Sequence, residues 1–376
     1  MPPSNLPFRG NAMYPVMNSA SKANGVIFAL VLAAMFVYSL PPVLSFARTQ
    51  TDSWNLFVDG KLLRKFEQAY DKRFFLRDPS VELWADAQFQ LFGEGTKGVV
   101  LGKDGWLYTN QEYRVPNDLE ANLASQLEQI AKVERQLAEH GKQLVLLPLP
   151  MKLDIYAEHA EHTFDPRVIS LYDRFVADLQ ARQLDVVPLR EAYLRNLAGP
   201  RLFLKSDTHW SPDGARLSAY ELARQRPRLL GDQVYVSRKT GDKEVKGDLM
   251  NYLQFDHARL APQFGPSPIA LYETLRAEQS SDDLFAEQAQ SLLLVGTSYS
   301  KIDDWNFVGF LKEALNRDLL SIAVEARGPF EAMGQFLASD QLHNPQITTV
   351  VWEFPLRTLL AHRPGALARS TQPAHF

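Results

Sequence analysis

Two short stretches, far apart in the chain, carry the side chains that acyl transfer needs: a hydroxyl, an imidazole and a carboxylate. The first is Lys205-Ser-Asp-Thr-His-Trp-Ser-Pro-Asp-Gly214 and the second is Leu294-Val-Gly-Thr-Ser-Tyr-Ser300. Asp207 stands two residues before His209. In extended chain such residues face the same side, so the carboxylate can orient the imidazole and stabilise it once protonated. Ser298 is the candidate nucleophile, because a serine at a strand-to-helix turn has backbone N–H groups around it that can receive a tetrahedral oxyanion. Ser300 should lie further into the helix, which makes it the weaker choice. Neither segment is diagnostic alone: Gly-x-Ser after a strand is common, and a histidine near an aspartate is often structural. A metal reading of Asp207 and His209 lacks an obvious third ligand nearby in sequence.

The elements around these stretches decide whether they can meet. Ser211 is a good N-cap and Pro212 suits the first helical position, so His209 is expected on the loop just before a helix. Ser291-Leu-Leu-Leu-Val295 reads as a buried strand ahead of Ser298, with a helix near 304–316 following. Further strands are expected at Gln143–Pro148, Leu184–Pro188, Leu202–Leu204 and Thr348–Phe354, and short extended pieces at Val99–Leu101 and Trp106–Tyr108. Helices are expected at 62–70, 117–140, where Gly141 ends the run, 165–182 and 190–197. Alternating strands and helices imply an α/β fold with a mostly parallel sheet and helices on both faces. Functional crevices of such sheets lie at the carboxyl ends of the strands, where both segments fall. Residues 228–288 are polar and proline-bearing and are expected to be an insertion with little sheet of its own.

Composition narrows the class. The chain has 376 residues, 45% of them hydrophobic, and a net charge of −4. That is enough apolar material for a sizeable core, and the charge argues against a dedicated nucleic-acid binder. There is no cysteine, which removes disulfides, thiolate metal sites and a cysteine nucleophile. Gly25 to Leu40 carries no charge, apolar character resumes after Pro41-Pro42 up to Ala47, and Lys22 and Arg48 bracket the run. It is long enough to span a membrane, which takes about 20 helical residues. A buried core helix would keep a polar face, which this segment lacks. Ser45-Phe46-Ala47 resembles a signal-peptide cleavage site, yet the uncharged stretch is longer than a usual signal core, which favours an uncleaved anchor. The expected organisation is a disordered tail at 1–22, a transmembrane anchor at 23–47 and a globular domain over 48–376.

The motif set resembles the alginate O-acetyltransferase family of AlgJ and AlgX, which has an SGNH-hydrolase-like three-layer α/β/α fold. Asp207-Thr-His209-Trp and Gly296-Thr-Ser298-Tyr-Ser carry the resemblance, and it extends over roughly residues 50–360. Phe66-Glu67, Tyr70-Asp71, Phe75 and Arg77 are similar to its N-terminal block, and Gly98-Val-Val-Leu-Gly-Lys-Asp-Gly-Trp-Leu-Tyr108 to its glycine–tryptophan segment. Pro150, Lys152 and Tyr156, then Lys246-Gly-Asp-Leu249, Trp305-Asn-Phe307 and Val351-Trp-Glu-Phe-Pro355 follow in order. The resemblance implies Ser298 as nucleophile, His209 as general base and Asp207 as its orienting partner, with no cofactor. It implies an anchor in the bacterial inner membrane and a periplasmic catalytic domain. The substrate would be an exopolysaccharide, alginate or cellulose. The acetyl group would come from a membrane-bound O-acyltransferase, within a complex of exopolysaccharide secretion proteins. An esterase with the same triad and a non-catalytic polysaccharide binder are the rival expectations.

Other residues stay open at this level. Trp106 and Tyr108 are expected in the core, and Trp305 and Phe307 are expected to be packing residues. Trp210, beside His209, is either a sugar or acyl-pocket wall or a core residue. Lys152 is either a solvated surface lysine or a neighbour of the active site. The backbone N–H of Gly328, in a Gly-Pro loop, is a candidate oxyanion donor.

Overall fold

The computed structural model describes residues 20–71, 77–277, 290–325 and 329–360. The chain divides into two compact units, residues 1–81 and 82–376. In the first, one helix runs over Ala20–Thr49 and shorter ones over Ser53–Val58 and Leu62–Asp71. Lys22–Thr49 is long and apolar enough to cross a membrane, and its most apolar window has no buried residue. An apolar surface of this length left uncovered by protein is compatible with a single-pass anchor. Within the unit, Phe46 meets Phe66 edge-on at 5.4 Å between ring centroids. The expected tail at 1–22 falls almost wholly outside the described residues.

The second unit is built on a four-stranded parallel sheet. The strands in chain order are β1 (Val99–Leu101), β2 (Leu107–Thr109), β3 (Gln143–Leu149), β4 (Tyr235–Val245), β5 (Ser267–Arg276), β6 (Leu292–Gly296), β7 (Leu320–Ala323) and β8 (Thr349–Pro355). The central sheet has the order β3-β8-β6-β7, all parallel. Leu144 to Leu147, Leu292 to Val295 and Val350 to Phe354 are buried almost completely. A parallel strand covered by helices on both faces has no solvent side, so its sequence is a continuous apolar run rather than an alternation. Each such aliphatic side chain contributes roughly 1.5–3 kcal/mol on burial. The helices at Leu119–Glu139, Arg167–Ala181, Phe307–Leu315 and Phe330–Leu337 bury one apolar stripe each against this sheet and its neighbours.

The expected α/β class and SGNH-hydrolase-like architecture are those found, with four local differences. Leu184–Pro188 is not a strand: Val186 makes a single parallel bridge to Leu146, because only Asp185 and Val187 exchange backbone bonds with that residue. Leu202–Leu204 likewise forms one antiparallel bridge, Phe203 to Trp210, folding the His209 segment back on itself. The insertion does have a sheet: β4 and β5 pair antiparallel over ten residues, with a bulge between Lys239 and Gly241. Its sequence reads as loop because β4 is exposed along most of its length and β5 turns only a few side chains, Ile269 and Tyr272 among them, toward the core and the helices Pro212–Gln225 and Phe307–Leu315. The short strand β7 was not expected, being four residues and only half buried.

Candidate active site

The nucleophile turn is built where β6 ends. Gly296 closes the strand, Thr297 adopts extended backbone as N-cap, and a short helix Ser298–Lys301 begins at the serine. The histidine segment is built where the chain enters the helix Pro212–Gln225, which Ser211 caps by accepting from the Gly214 N–H at 3.2 Å. Helix capping therefore holds His209 on a loop three residues ahead of a rigid element, as expected.

The fold brings these two loops into contact. Ser298 Oγ lies 2.8 Å from His209 Nε2, and His209 Nδ1 lies 2.5 Å from Asp207 Oδ1. Asp207 Oδ1 also accepts from the His209 N–H at 2.9 Å, and Oδ2 accepts from the Asp248 N–H at 2.9 Å. Burial alone would raise the Asp207 carboxyl. The hydrogen bond and charge of His209 and the two N–H donors outweigh it and hold the pKa at about 2. A carboxylate ionised at all ordinary pH must accept, so Nδ1 carries a ring proton, and in the neutral tautomer that this selects the Nε2 lone pair faces the Ser298 hydroxyl. In that tautomer Ser298 donates to His209, the arrangement that a nucleophile and its base require.

The surroundings hold this geometry. The imidazole packs against the Tyr299 ring at 4.7 Å and stacks on Trp305 at 5.9 Å. The Tyr299 hydroxyl donates to the Thr208 carbonyl at 2.5 Å, tying the residue after the nucleophile to the residue before the base. Asp207, His209 and Ser298 are each less than a tenth exposed, so bulk water does not screen the pair. Lys152 is buried and is not a surface lysine: its ammonium donates to the carbonyls of Leu107, Lys205 and Asp207 at 2.6, 2.8 and 2.9 Å. Burial lowers its pKa to about 7 against the pull of Glu112, Asp207 and Asp248, and three carbonyl acceptors call for the three donors that only the ammonium has. Lys152 thus straps the histidine segment to β2 rather than facing substrate.

Trp210 is fully buried, with its Nε1 donating to the Tyr299 carbonyl at 3.2 Å and its ring against Phe307 at 4.6 Å. It is a core residue linking the two catalytic loops, not a wall open to sugar. Trp106, Tyr108, Trp305 and Phe307 are buried, as expected. Gly328 lies outside the described residues.

Two carboxylates were missed as functional. Asp248 accepts from the Thr208 N–H at 2.8 Å and the Thr208 hydroxyl at 2.6 Å, locking the segment around His209 from the insertion. It supplies the third acidic or imidazole neighbour that a metal reading lacked, within 4.8 Å of the Asp207 and His209 ligand atoms. Each oxygen of both carboxylates already accepts from an N–H or O–H, so hydrogen bonds account for the cluster. Glu353, on β8, accepts from the Thr297 N–H, the Thr297 hydroxyl and the Ser300 hydroxyl at 2.8, 2.9 and 2.6 Å. The signal was present: one charge inside Thr-Val-Val-Trp-Glu-Phe-Pro, where a buried strand should have none.

A hydroxyl, an imidazole and a carboxylate in this order can form and resolve an acyl-serine. Comparison with known proteins points the same way. The family model described as SGNH hydrolase-like domain, acetyltransferase AlgX, matches residues 99–356. The chain is 35% identical over 345 residues to a probable alginate O-acetylase AlgJ of Pseudomonas fluorescens, covering 89% of this chain and 86% of the relative. It is 37% identical over 319 residues to the probable alginate O-acetylase AlgJ of Pseudomonas aeruginosa, covering 80% and 81%. Among solved structures, the O-acetyltransferase domain of Pseudomonas putida AlgJ superposes with a TM-score of 0.64 at 32% identity, over 71% of this chain and 94% of that one.

Proposed function

This chain belongs to the AlgX-type family of SGNH hydrolase-like acetyltransferases, and from that premise we propose that it transfers acetyl groups to hydroxyls of an exopolysaccharide through an acetyl-serine on Ser298. The names of its relatives favour alginate as the polymer. The observation that carries the reaction class is the unbroken relay Ser298 Oγ–His209 Nε2 and His209 Nδ1–Asp207 Oδ1, at 2.8 and 2.5 Å.

In the first half-reaction His209 Nε2 takes the Ser298 proton as Oγ attacks the acetyl carbonyl. Backbone N–H groups at the start of helix Ser298–Lys301 stabilise the oxyanion, and the imidazolium returns its proton to the leaving group. In the second half-reaction His209 takes the proton of a sugar hydroxyl, which attacks the acetyl-serine. Ser298 leaves with that proton, and the acetyl ester sits on the polymer. Asp207 remains ionised throughout and stabilises the imidazolium in both halves.

The apolar helix Lys22–Thr49 supports an inner-membrane anchor with the catalytic unit in the periplasm. That position suits an acetyl donor delivered by a membrane-bound O-acyltransferase and an acceptor chain passing through the secretion complex.

The test is to incubate the full chain in detergent with an activated acetyl ester, with and without oligomannuronate. Acetylated oligosaccharide, abolished in Ser298→Ala, is the expected product. Acetate release that ignores the acceptor would make the chain an esterase, and polymer acetylation retained by Ser298→Ala would make it a non-catalytic component.

A further inference from the structure

Glu353 presents a physical problem that packing does not solve. It lies on β8, which has β3 on one side and β6 on the other, and it is wholly buried. Taking a carboxylate out of water is costly unless its partners offset it, and a strand position that serves packing alone is ordinarily apolar. Every other residue of β8 from Val350 to Phe354 is apolar. Fold stability alone therefore does not call for an acid here.

All the hydrogen bonds of this carboxylate go to one turn. It takes the N–H and the hydroxyl of Thr297, just before the nucleophile, and the hydroxyl of Ser300, two residues after it. Ser298 is the one hydroxyl of the Thr-Ser-Tyr-Ser run with a serine or threonine side chain that Glu353 leaves alone, and that hydroxyl goes to His209. Gly296 makes the arrangement sterically possible. A Cβ there would stand 2.4 Å from Ser300 Oγ and 2.9 Å from Glu353 Oε2. The motif Gly296-Thr-Ser-Tyr-Ser300 is thus explained residue by residue as a nucleophile held between two buried anchors.

We infer that Glu353 is a positioning residue for acyl transfer: it clamps the turn on both sides of Ser298 and so fixes where the nucleophilic oxygen points. This rests on Ser298 being the nucleophile. The clamp acts through the turn and touches no substrate. Burial also pushes the Glu353 carboxyl up, opposed by its three hydrogen bonds and the nearby His209.

The experiment uses the full chain in detergent with p-nitrophenyl acetate. It reads the single-turnover rate of acetyl-serine formation, the burst amplitude that counts active sites, KM, and the melting temperature. Glu353→Leu leaves three buried donors without an acceptor, so its melting temperature is expected to fall while the central sheet still folds, and it is expected to acylate roughly 30- to 100-fold more slowly per active site with little change in KM, the scale of a nucleophile misplaced by about an ångström. Glu353→Gln should restore most of that loss. Its amide oxygen still accepts from the Thr297 N–H and the Ser300 hydroxyl, while its NH2 can donate to Thr297 Oγ1. Ser300→Ala, which releases one side of the clamp, should slow acylation about five-fold. A Glu353→Leu enzyme within about three-fold of the parent per active site would overturn the inference. Should that variant not fold, an unchanged rate in Ser300→Ala overturns it instead. Ser298→Ala run alongside separates the two claims, because burst amplitude surviving there would remove the nucleophile assignment itself.

Discussion

Removing one atom of the relay isolates what each residue contributes. His209→Ala should lower acetylation by at least about three orders of magnitude, because the hydroxyl then has no base and is a poor nucleophile at its own pKa. Circular dichroism should show the fold intact, and initial-rate kinetics with the acetyl ester checks the loss. Asp207 has a second consequence, in stability. Its pKa is depressed in the fold, to about 2, from the ordinary value of 3.8. A depressed carboxyl stabilises the fold fully above its unfolded pKa, and that stabilisation fades as pH falls from about 4 through 2. The contribution is on the order of 2 kcal/mol. Denaturant unfolding of the parent and of Asp207→Asn should differ by a constant amount above about pH 4 and converge below it. A gap that instead widened with acid would contradict the assignment.

Elements, not only side chains, place these groups. The histidine segment is held from several directions: the helix at Pro212–Gln225 caps its end, Lys152 straps it to β2, and the insertion presses Gly247-Asp248 against it. The approach at Gly247 is so close that a Cβ would lie 2.0 Å from the Ser206 carbonyl oxygen. Gly247→Ala should therefore push the insertion away, break the Asp248 bonds to Thr208 and Asp207, and lower the acylation rate about 10- to 100-fold. The melting temperature should drop only modestly, since the central sheet is untouched, and kinetics with differential scanning fluorimetry reads both. Tyr299→Phe probes the opposite loop. Losing its hydroxyl bond to the Thr208 carbonyl removes about 1 kcal/mol and loosens the two loops together, so a several-fold fall in rate is expected. Both elements were only partly legible. Ser211-Pro212 and the apolar run at 291–295 announced the loops, because capping and burial are local properties of a sequence. The ribbon β4–β5 did not announce itself, because its strands are stabilised mainly by each other and bury only a few residues of β5 against the helices Pro212–Gln225 and Phe307–Leu315.

At the scale of the whole molecule, the candidate relay and the candidate membrane span fall in separate units. Every residue of the relay and its supports lies beyond Glu82, while the candidate span ends at Thr49. A chain beginning at Ser53 is expected to be soluble and to hydrolyse a small acetyl ester at a rate within a few-fold of the full chain, whereas polymer acetylation in cells should be lost. Fractionation of cells and acetyl analysis of secreted polymer test this. Retained polymer acetylation would show that attachment is dispensable for meeting donor and acceptor.

By itself the sequence determined the alternation of strands and helices, the long apolar segment near the N-terminus, and the two motifs that hold the candidate triad Ser298, His209 and Asp207, because periodicity, capping and motif spacing are written locally. Tertiary structure alone decided which distant groups touch. It turned Trp210 inward, made Lys152 a strap, enlisted Asp248 from the insertion, and placed Glu353 under the nucleophile through the pairing of β6 with β8. The reason is that a buried polar group takes its meaning from its hydrogen-bond partner, and that partner is chosen by the path of the chain through space.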